Sequence, residues 1–199
     1  DLKKNYTKED FFVSESNNRA FKVINDNKIQ HIIIKGPKKS GKTHLGLLWK
    51  KNNNAISYDY NNYHYILKNK NNIFIDDFLI NLNEEYFFHI INHSYNYDLK
   101  ILICVENNFS NYEYKIHDFS SRLKTFNIIE IFDPDDHLLN NLLLKLLYDK
   151  QIIIKSHEIF SYISKRINRT YLDVFEFVEK IDKLSLEKKR QLTIPLIKE

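Results

Sequence analysis

Residues 31–43 read HIIIKGPKKSGKT, a strand pattern that runs directly into a glycine-containing loop. The first five, His31 to Lys35, form an apolar, β-branched run that is typical of a strand buried in a parallel sheet. The next eight satisfy the phosphate-binding loop pattern G-x-x-x-x-G-K-[ST], which joins such a strand to a helix. The predicted nucleotide-binding residues here are those of the loop and the His after it: Gly36, Pro37, Lys38, Lys39, Ser40, Gly41, Lys42, Thr43 and His44.

The loop residue types suit a phosphate ligand. Glycines let backbone N–H groups face phosphate oxygens, Lys42 supplies a positive charge to the β- and γ-phosphates, and Thr43 offers a hydroxyl to Mg²⁺. The predicted helix over 43–50 directs its positive end at the nucleotide. Since the chain has only three glycines and two lie in this loop, we predict a nucleotide site that uses Mg²⁺.

A second acidic element follows the loop. A strand-like run covers 72–76, and residues 73–77 (IFIDD) form an apolar stretch that ends in two acids, as a Walker B strand does. Asp76 is predicted to hold the hydration shell of Mg²⁺, and Asp77 to polarise the attacking water. A strand that merely ends in a turn is the alternative, which the neighbouring loop disfavours.

The rest of the chain extends this pattern. Other strand-like runs occupy 55–58, 100–105 and 127–131, and a helical pattern covers 84–96. The alternation predicts an α/β domain over 1–132, a parallel sheet with helices on both faces. The Asn- and Tyr-rich segment 61–72 is interpreted as a loop.

Helical patterns dominate after residue 131 and predict a small all-helical domain over 133–199. Asp133 is predicted to cap its first helix, with Pro134 at the first helical position. Ser156 and Thr170 are predicted to cap two more helices. A Leu-rich stripe over 138–147 is interpreted as the core of this domain rather than as a groove for a partner.

Composition narrows the function classes. The 199 residues are 43% hydrophobic and 28% charged, enough for a packed core, and a net charge of +4 does not by itself argue for nucleic-acid binding. No apolar run approaches the roughly 18 residues that cross a bilayer, no signal peptide is evident, and the single Cys104 supports no internal disulfide. We expect a cytoplasmic protein without membrane contact. Because the chain has no Met and begins with Asp, its natural start is expected upstream.

The chain resembles the Hda family (HdaA in alphaproteobacteria), short AAA+ relatives of the replication initiator DnaA. Besides the loop and the acidic strand, the resemblance rests on residues 6–13 (YTKEDFFV), 118–123 (DFSSRL) and 191–199 (QLTIPLIKE). It covers essentially all 199 residues. It implies an AAA+ P-loop NTPase-type base domain, a helical lid domain and a bound adenine nucleotide, ADP or ATP.

The resemblance also implies partners. Hda proteins bind ADP and the DNA-loaded sliding clamp, and in that complex stimulate ATP hydrolysis by DnaA. Here Arg122 matches the arginine finger and Glu106 the sensor 1 position. A homo-oligomer is left open, and no sequence-specific duplex DNA binding is expected, because the chain ends where DnaA begins its helix-turn-helix domain.

Arginine usage bears on these roles. With 25 lysines and five arginines, the chain keeps arginine where a planar, forked cation is useful. By itself this pattern still favours a surface Arg122 capping the helix at 117–124, and it is the resemblance that favours the arginine finger. Where the family has its sensor 2 arginine, this chain has Leu172. Arg169, one helical turn earlier, is predicted to contact the nucleotide instead. If Arg169 does not substitute, the lid loses its charged contact to the nucleotide, and Asp77 in place of the family's common catalytic Glu points the same way, so we expect weak or absent intrinsic ATPase activity.

Two rival functions stay open. One is an autonomous DnaA-like or helicase-loader-like ATPase acting on single-stranded DNA; the other is an adaptor that needs no nucleotide. Tyrosines over 58–65 could stack on single strands, but self-packing is favoured. His89 and His93 have a metal-compatible spacing without a third ligand, so ordinary packing is favoured for them too.

Overall fold

The computed structural model describes residues 7, 10–26, 28–80, 82–154 and 156–198. Within the segments that carry the family resemblance, Tyr6, Lys8, Glu9 and Glu199 lie outside the described residues. The chain divides into two compact units. The first comprises Asp1–Phe11, Asn17–Pro37 and Gly41–Phe132, and the second Phe12–Ser16, Lys38–Ser40 and Asp133–Glu199.

The first unit is built on a parallel sheet, as the sequence predicts. Its strands are β1 (His31–Lys35), β2 (Ile56–Ser57), β3 (Ile73–Ile75), β4 (Ile101–Val105) and β5 (Asn127–Glu130). Their order is β2-β3-β4-β1-β5, with every pair parallel. Each strand lies inside a predicted run, with its ends within one residue of the prediction.

Helices cover both faces of this sheet, which confirms the predicted α/β class. They are α1 (Asn18–Ile24), α2 (Lys42–Asn52), α3 (Tyr63–Lys68), α4 (Glu84–Tyr97) and α5 (His117–Leu123). Alternate strand residues face opposite sides. Ile33, Ile73 and Ile103 therefore pack with α4 and α5 residues in one core, while Phe74 faces Gly46 of α2 on the other side.

The loop predicted over 61–72 is wrong for residues 61–68. A 3₁₀ turn spans Tyr60–Asn62 and α3 follows it directly. The Asp59 side chain accepts the Asn61 N–H and so caps the turn. Tyr63 is buried and stacks on Tyr86 at 3.9 Å between ring centroids, as expected for self-packing, whereas Tyr65 is 54% exposed.

The second unit is helical, with α6 (Asp136–Asp149), α7 (His157–Ser164), α8 (Tyr171–Lys188) and α9 (Ile194–Lys198). The predicted caps hold for Ser156, which accepts the Ile159 N–H, and for Thr170, which accepts the Asp173 N–H. The Leu stripe is core, as predicted: Leu139, Leu143 and Leu147 are buried together.

The predicted cap at Asp133 is wrong by two residues. Asp135 is the N-cap of α6, and its carboxylate accepts the Leu138 N–H at 2.7 Å. Pro134 therefore precedes the helix and is buried. Starting two residues later places Leu138 and Leu139 on the buried side.

No helix among the described residues is long and apolar enough to cross a membrane.

Candidate functional site

The phosphate-binding loop leaves the carboxyl end of β1, the position that the sequence predicts. Gly36 continues the sheet for one step, because its N–H donates to the Val105 carbonyl at 3.2 Å. Gly41 has φ +89° and caps α2. A Cβ at residue 41 would lie 2.8 Å from the Phe11 ring. This position therefore needs glycine both for its backbone conformation and for space.

Lys42 directs its ammonium back over the loop. Nζ donates to the carbonyls of Gly36 at 2.9 Å and Pro37 at 2.6 Å. Burial lowers the pKa of Lys42, and the nearby Cys104, Glu106 and the Asp76–Asp77 pair oppose that shift. The cation is thus held at the mouth of the loop, where a phosphate would meet it.

Asp76 and Thr43 meet across the loop. The Thr43 hydroxyl donates to the Asp76 carboxylate. Burial raises the pKa of Asp76, and the hydrogen bond from Thr43 and the charge of Lys42 partly offset that effect. A hydroxyl and a carboxylate placed together are hard oxygen donors of the kind that Mg²⁺ prefers, so these two residues fit the predicted magnesium role.

Asp77 differs from Asp76 in exposure and backbone. It lies in the left-handed region at φ +46°, which Asp tolerates better than most residues. Its side chain is exposed, and its N–H donates to Asp76 Oδ1 at 3.1 Å. The carboxylate therefore stands at the edge of the site, next to the magnesium candidates.

Glu106 comes directly after β4 and precedes a 3₁₀ turn over Asn107–Asn111. Because Val105 is opposite Lys35 in the β1–β4 pair, Glu106 lies beside the start of the loop. Its charge partly offsets the burial that lowers the pKa of Lys42. The structure thus brings the sensor 1 candidate together with Lys42, Thr43 and Asp76.

Ser40, in the middle of the loop, has a buried hydroxyl that a bound ligand could satisfy. Ser40 is 3% exposed, and its hydroxyl has no hydrogen-bond partner within the described part of the chain. A buried hydroxyl without a partner is costly, and a phosphate oxygen would satisfy it. Lys38 is exposed, and the Lys39 ammonium lies 5.4 Å from the centroid of the Phe175 ring.

His44 is held by the segment before α1. Its Nε2 is 2.7 Å from the Thr7 carbonyl, and its ring meets the edge of Phe11 at 5.3 Å. Phe11 also stacks on Phe21 at 5.9 Å. Sequence reasoning missed this aromatic group, although Phe11 lies in the segment that carries the family resemblance.

Arg122 occupies the last turn of α5 with an exposed side chain. Its guanidinium carbon lies 5.0 Å from the centroid of the Tyr95 ring. Tyr95 in turn meets His31 at 4.5 Å, and His31 is the first residue of β1. Arg122 is therefore beside the amino end of the strand whose carboxyl end leads into the phosphate-binding loop.

Arg169 forms an ion pair within the second unit. Its Nη1 lies 3.3 Å from Asp136 Oδ1, and both side chains are largely exposed. Leu172, at the sensor 2 position of the resemblance, is 37% exposed in the first turn of α8. The guanidinium predicted to contact nucleotide is engaged here by a carboxylate.

Comparison with known proteins gives a family for the C-terminal part. Residues 144–199 match the model of the Hda lid domain. No curated protein sequence matches the chain.

Solved structures give the fold. The chain resembles domain III of the Thermotoga maritima replication initiation protein DnaA, with TM-score 0.77, 16% identity, and 96% of this chain and 93% of that chain covered. It also resembles AMPPCP-bound DnaA from Aquifex aeolicus, with TM-score 0.71, 19% identity and coverage of 92% and 68%. A third neighbour is the Thermotoga maritima RuvB Holliday junction branch migration motor, with TM-score 0.68, 15% identity and coverage of 97% and 70%.

The phosphate-binding loop stands on a parallel sheet that these AAA+ proteins share, and the C-terminal helices match a lid domain specific to one family. The chain therefore has an AAA+ fold, and its residues 144–199 match the Hda lid domain.

Proposed function

We propose that this chain is an adenine-nucleotide-binding regulator of chromosomal replication initiation. Together with the DNA-loaded sliding clamp, it stimulates ATP hydrolysis by DnaA, and Arg122 acts on the nucleotide that DnaA holds. The observation that carries the proposal is the location of Arg122. It is exposed and lies at the opposite end of β1 from the chain's own phosphate-binding loop.

This location favours action on a nucleotide bound by another chain over action on the chain's own nucleotide. Strand β1 has five residues and so spans about 13 Å. The guanidinium lies beside its amino end, and Lys42 and Thr43 follow its carboxyl end. An arginine finger must contact the transferring phosphate directly, so Arg122 serves a nucleotide bound by another molecule.

The chain's own nucleotide has a separate role in this scheme. Lys42, the hydroxyl of Ser40 and the loop N–H groups would hold a diphosphate, and Thr43 with Asp76 would hold Mg²⁺. The adenine nucleotide itself is supported by a relative, since DnaA from Aquifex aeolicus was solved with AMPPCP bound. Bound Mg²⁺ supplies charge neutralisation for the phosphates.

Slow hydrolysis by this chain alone is part of the proposal. Asp77 lies exposed at the edge of the site, and Arg169 pairs with Asp136. The paired Arg169 does not supply the positive charge that a transferring γ-phosphate needs, and the exposed Asp77 is not held against an attacking water. A stably held ADP suits a regulator that acts through Arg122.

An autonomous ATPase is the second candidate, and a specific observation favours it. The Thr43–Asp76 pair and Lys42 are complete, which is the apparatus that a motor would need. Steady-state hydrolysis by the purified chain, without DnaA, separates the two. Fast turnover that Lys42→Ala removes would favour the motor.

The direct test measures ATP hydrolysis by DnaA in the presence of DNA-loaded clamp and this chain. Arg122→Ala is expected to lower the stimulated rate by about a thousandfold, since an arginine finger contributes about 10³ to 10⁵ in rate. Arg19→Ala is the matched control, because Arg19 lies in α1 and has no proposed role. Equal stimulation by the wild type and Arg122→Ala would refute the arginine-finger role and favour an adaptor.

A further inference from the structure

We infer that Tyr95 and Thr125 are positioning residues that hold the Arg122 guanidinium in the orientation needed to meet a phosphate of another molecule. The inference rests on the proposed function of Arg122 and adds the residues through which it acts. Tyr95 lies in the last turn of α4, and Thr125 lies just after α5. The guanidinium carbon lies 5.0 Å from the centroid of the Tyr95 ring, within the range of a cation–π contact.

These three residues form a closed loop of contacts. The Tyr95 hydroxyl is 2.6 Å from Thr125 Oγ1, and the Thr125 hydroxyl donates to the Arg122 carbonyl at 2.7 Å. Because the single proton of Thr125 goes to that carbonyl, the Tyr95 hydroxyl donates to Thr125. Arg122 is thus fixed at both ends, at its carbonyl by Thr125 and at its guanidinium by the ring of Tyr95.

The Tyr95 ring packs against buried residues of the sheet domain. The ring of His31 meets it at 4.5 Å in an edge arrangement, and His31 itself stacks on Phe126 at 4.9 Å. His31 is buried, and its Nε2 is 3.1 Å from Ser94 Oγ. Packing on a strand and a helix restricts the ring, so the surface that it offers to Arg122 is rigid.

A rigid platform matters because an exposed arginine has many rotamers. Among the described residues, no carboxylate pairs with Arg122. The cation–π contact with the Tyr95 ring leaves the guanidinium charge available to a phosphate. An acid in the same place would accept the guanidinium N–H groups and neutralise that charge. Holding the group before the partner arrives removes an ordering cost from the reaction.

The same helix provides a matched control. Tyr97 is 47% exposed against 40% for Tyr95, and it also carries a cation, Lys70, at 4.5 Å from its ring centroid. Its ring contacts His93 at 4.7 Å. Tyr97 therefore matches Tyr95 in residue type, helix, exposure and chemistry, but its cation has no proposed role.

The test measures hydrolysis by DnaA with loaded clamp while the concentration of this chain is varied. Tyr95→Leu is expected to lower the maximal stimulated rate about fivefold and to leave the half-maximal concentration unchanged. Tyr95→Phe keeps the ring and should stay within about twofold of the wild type. Thr125→Val removes only the hydroxyl anchor and should lower the maximal rate about threefold.

Tyr97→Leu is expected to match the wild type. Thermal unfolding and ADP titration of each variant show whether it folds as the wild type does. If Tyr95→Leu does not fold, Tyr95→Phe and Thr125→Val still test the inference. The inference is overturned if Tyr95→Leu and Thr125→Val both retain the wild-type rate. It is also overturned if Tyr97→Leu lowers the rate as much as Tyr95→Leu does.

Failure of the proposed function gives a different result. If Arg122→Ala leaves stimulation unchanged, the arginine finger is absent and the inference falls with it. If Arg122→Ala abolishes stimulation while Tyr95→Leu and Thr125→Val leave it intact, the finger stands and only the positioning role is refuted. A Tyr95 effect that raises the half-maximal concentration without lowering the maximal rate would instead assign this residue to docking and overturn the inference.

Discussion

Gly46 of α2 lies so close to Phe74 of β3 that a Cβ atom on residue 46 would be 2.2 Å from Phe74 Cε2. This contact sets the approach of α2 to the sheet. Since α2 begins within the phosphate-binding loop, it also bears on where the helix presents its amino end.

Gly46→Ala is therefore expected to destabilise the protein, although alanine is the better helix former. The gain in helix propensity is about 1 kcal/mol, whereas overpacking a core costs roughly 1–3 kcal/mol, and a 2.2 Å contact with a buried ring belongs at the upper end. We expect a net loss of about 2 kcal/mol in the free energy of unfolding, measured by urea denaturation. Adding Phe74→Leu to Gly46→Ala should restore part of the lost free energy of unfolding. The exposed Lys51→Ala is the control, and an equal loss in Gly46→Ala and Lys51→Ala would contradict the close approach of Gly46 to Phe74.

Lys42→Ala is expected to weaken ADP binding about a hundredfold, because a partly buried cation aimed at phosphate contributes roughly 3 kcal/mol. Calorimetric titration with ADP and Mg²⁺ measures the affinity. Without nucleotide, the melting temperature of Lys42→Ala should stay close to that of the wild type. Lys51→Ala, on the exposed side of the same helix, is the control, and unchanged affinity in Lys42→Ala would remove the loop from nucleotide binding.

Much of this site could be predicted from the sequence because its parts are local. A strand, a glycine turn and a helix follow one another over 31–52. Asp76 directly follows β3 and Glu106 directly follows β4, so residue order alone brings the loop and both acids to one edge of a parallel sheet. The partners of Arg122 could not be predicted in this way. Tyr95 is 27 residues away in the sequence, and its contact with Arg122 depends on how α4 and α5 pack.

The two errors in secondary structure have physical causes. The run of Asn around α3 has low helix propensity, but burial of Tyr63 and Ile66 outweighs it. At α6, Asp133 and Asp135 are both suitable caps by residue type. With Asp135 as the cap, Leu138 and Leu139 face the core. This packing selects Asp135 over Asp133, and it is a tertiary effect that the local sequence does not show.

Asp76→Asn is expected to stabilise the protein at neutral pH and to remove Mg²⁺-dependent nucleotide binding. Burial raises the pKa of Asp76 above its ordinary value of 3.8, so the folded state favours the neutral carboxyl and is disfavoured once it ionises. The stabilising effect of the neutral form is fully present below the unfolded-state pKa and is lost as pH rises through the folded-state pKa. Asparagine does not ionise, so its advantage appears only at the higher pH.

Urea denaturation of both proteins across pH 4 to 8 tests this prediction without nucleotide. The difference in the free energy of unfolding should grow as pH rises and shrink toward the acid end. Asp77→Asn is the control, since this neighbouring carboxyl is exposed. A constant difference across the range would show that the carboxyl of Asp76 is not disfavoured by burial.

The ion pair between Arg169 and Asp136 leads to the last prediction. With both side chains about 70% exposed, the pair contributes little to stability, and Asp136→Asn should change the free energy of unfolding by less than about 0.5 kcal/mol. If the lid lacks a charged contact to the nucleotide because Leu172 replaces arginine, Leu172→Arg should raise ATP hydrolysis by the chain alone about tenfold, since one cationic donor to the transition state contributes at least that much.

Leu172→Gln is the matched control, because it adds a polar side chain of similar length without a charge. A rate for Leu172→Arg that equals the rate for Leu172→Gln would place the limit on hydrolysis elsewhere, at the exposed Asp77. Arg169→Ala in the wild-type background completes the comparison. If it weakens ADP binding, Arg169 leaves Asp136 when nucleotide is bound and acts as the lid's cation; if affinity is unchanged, the loop alone holds the nucleotide.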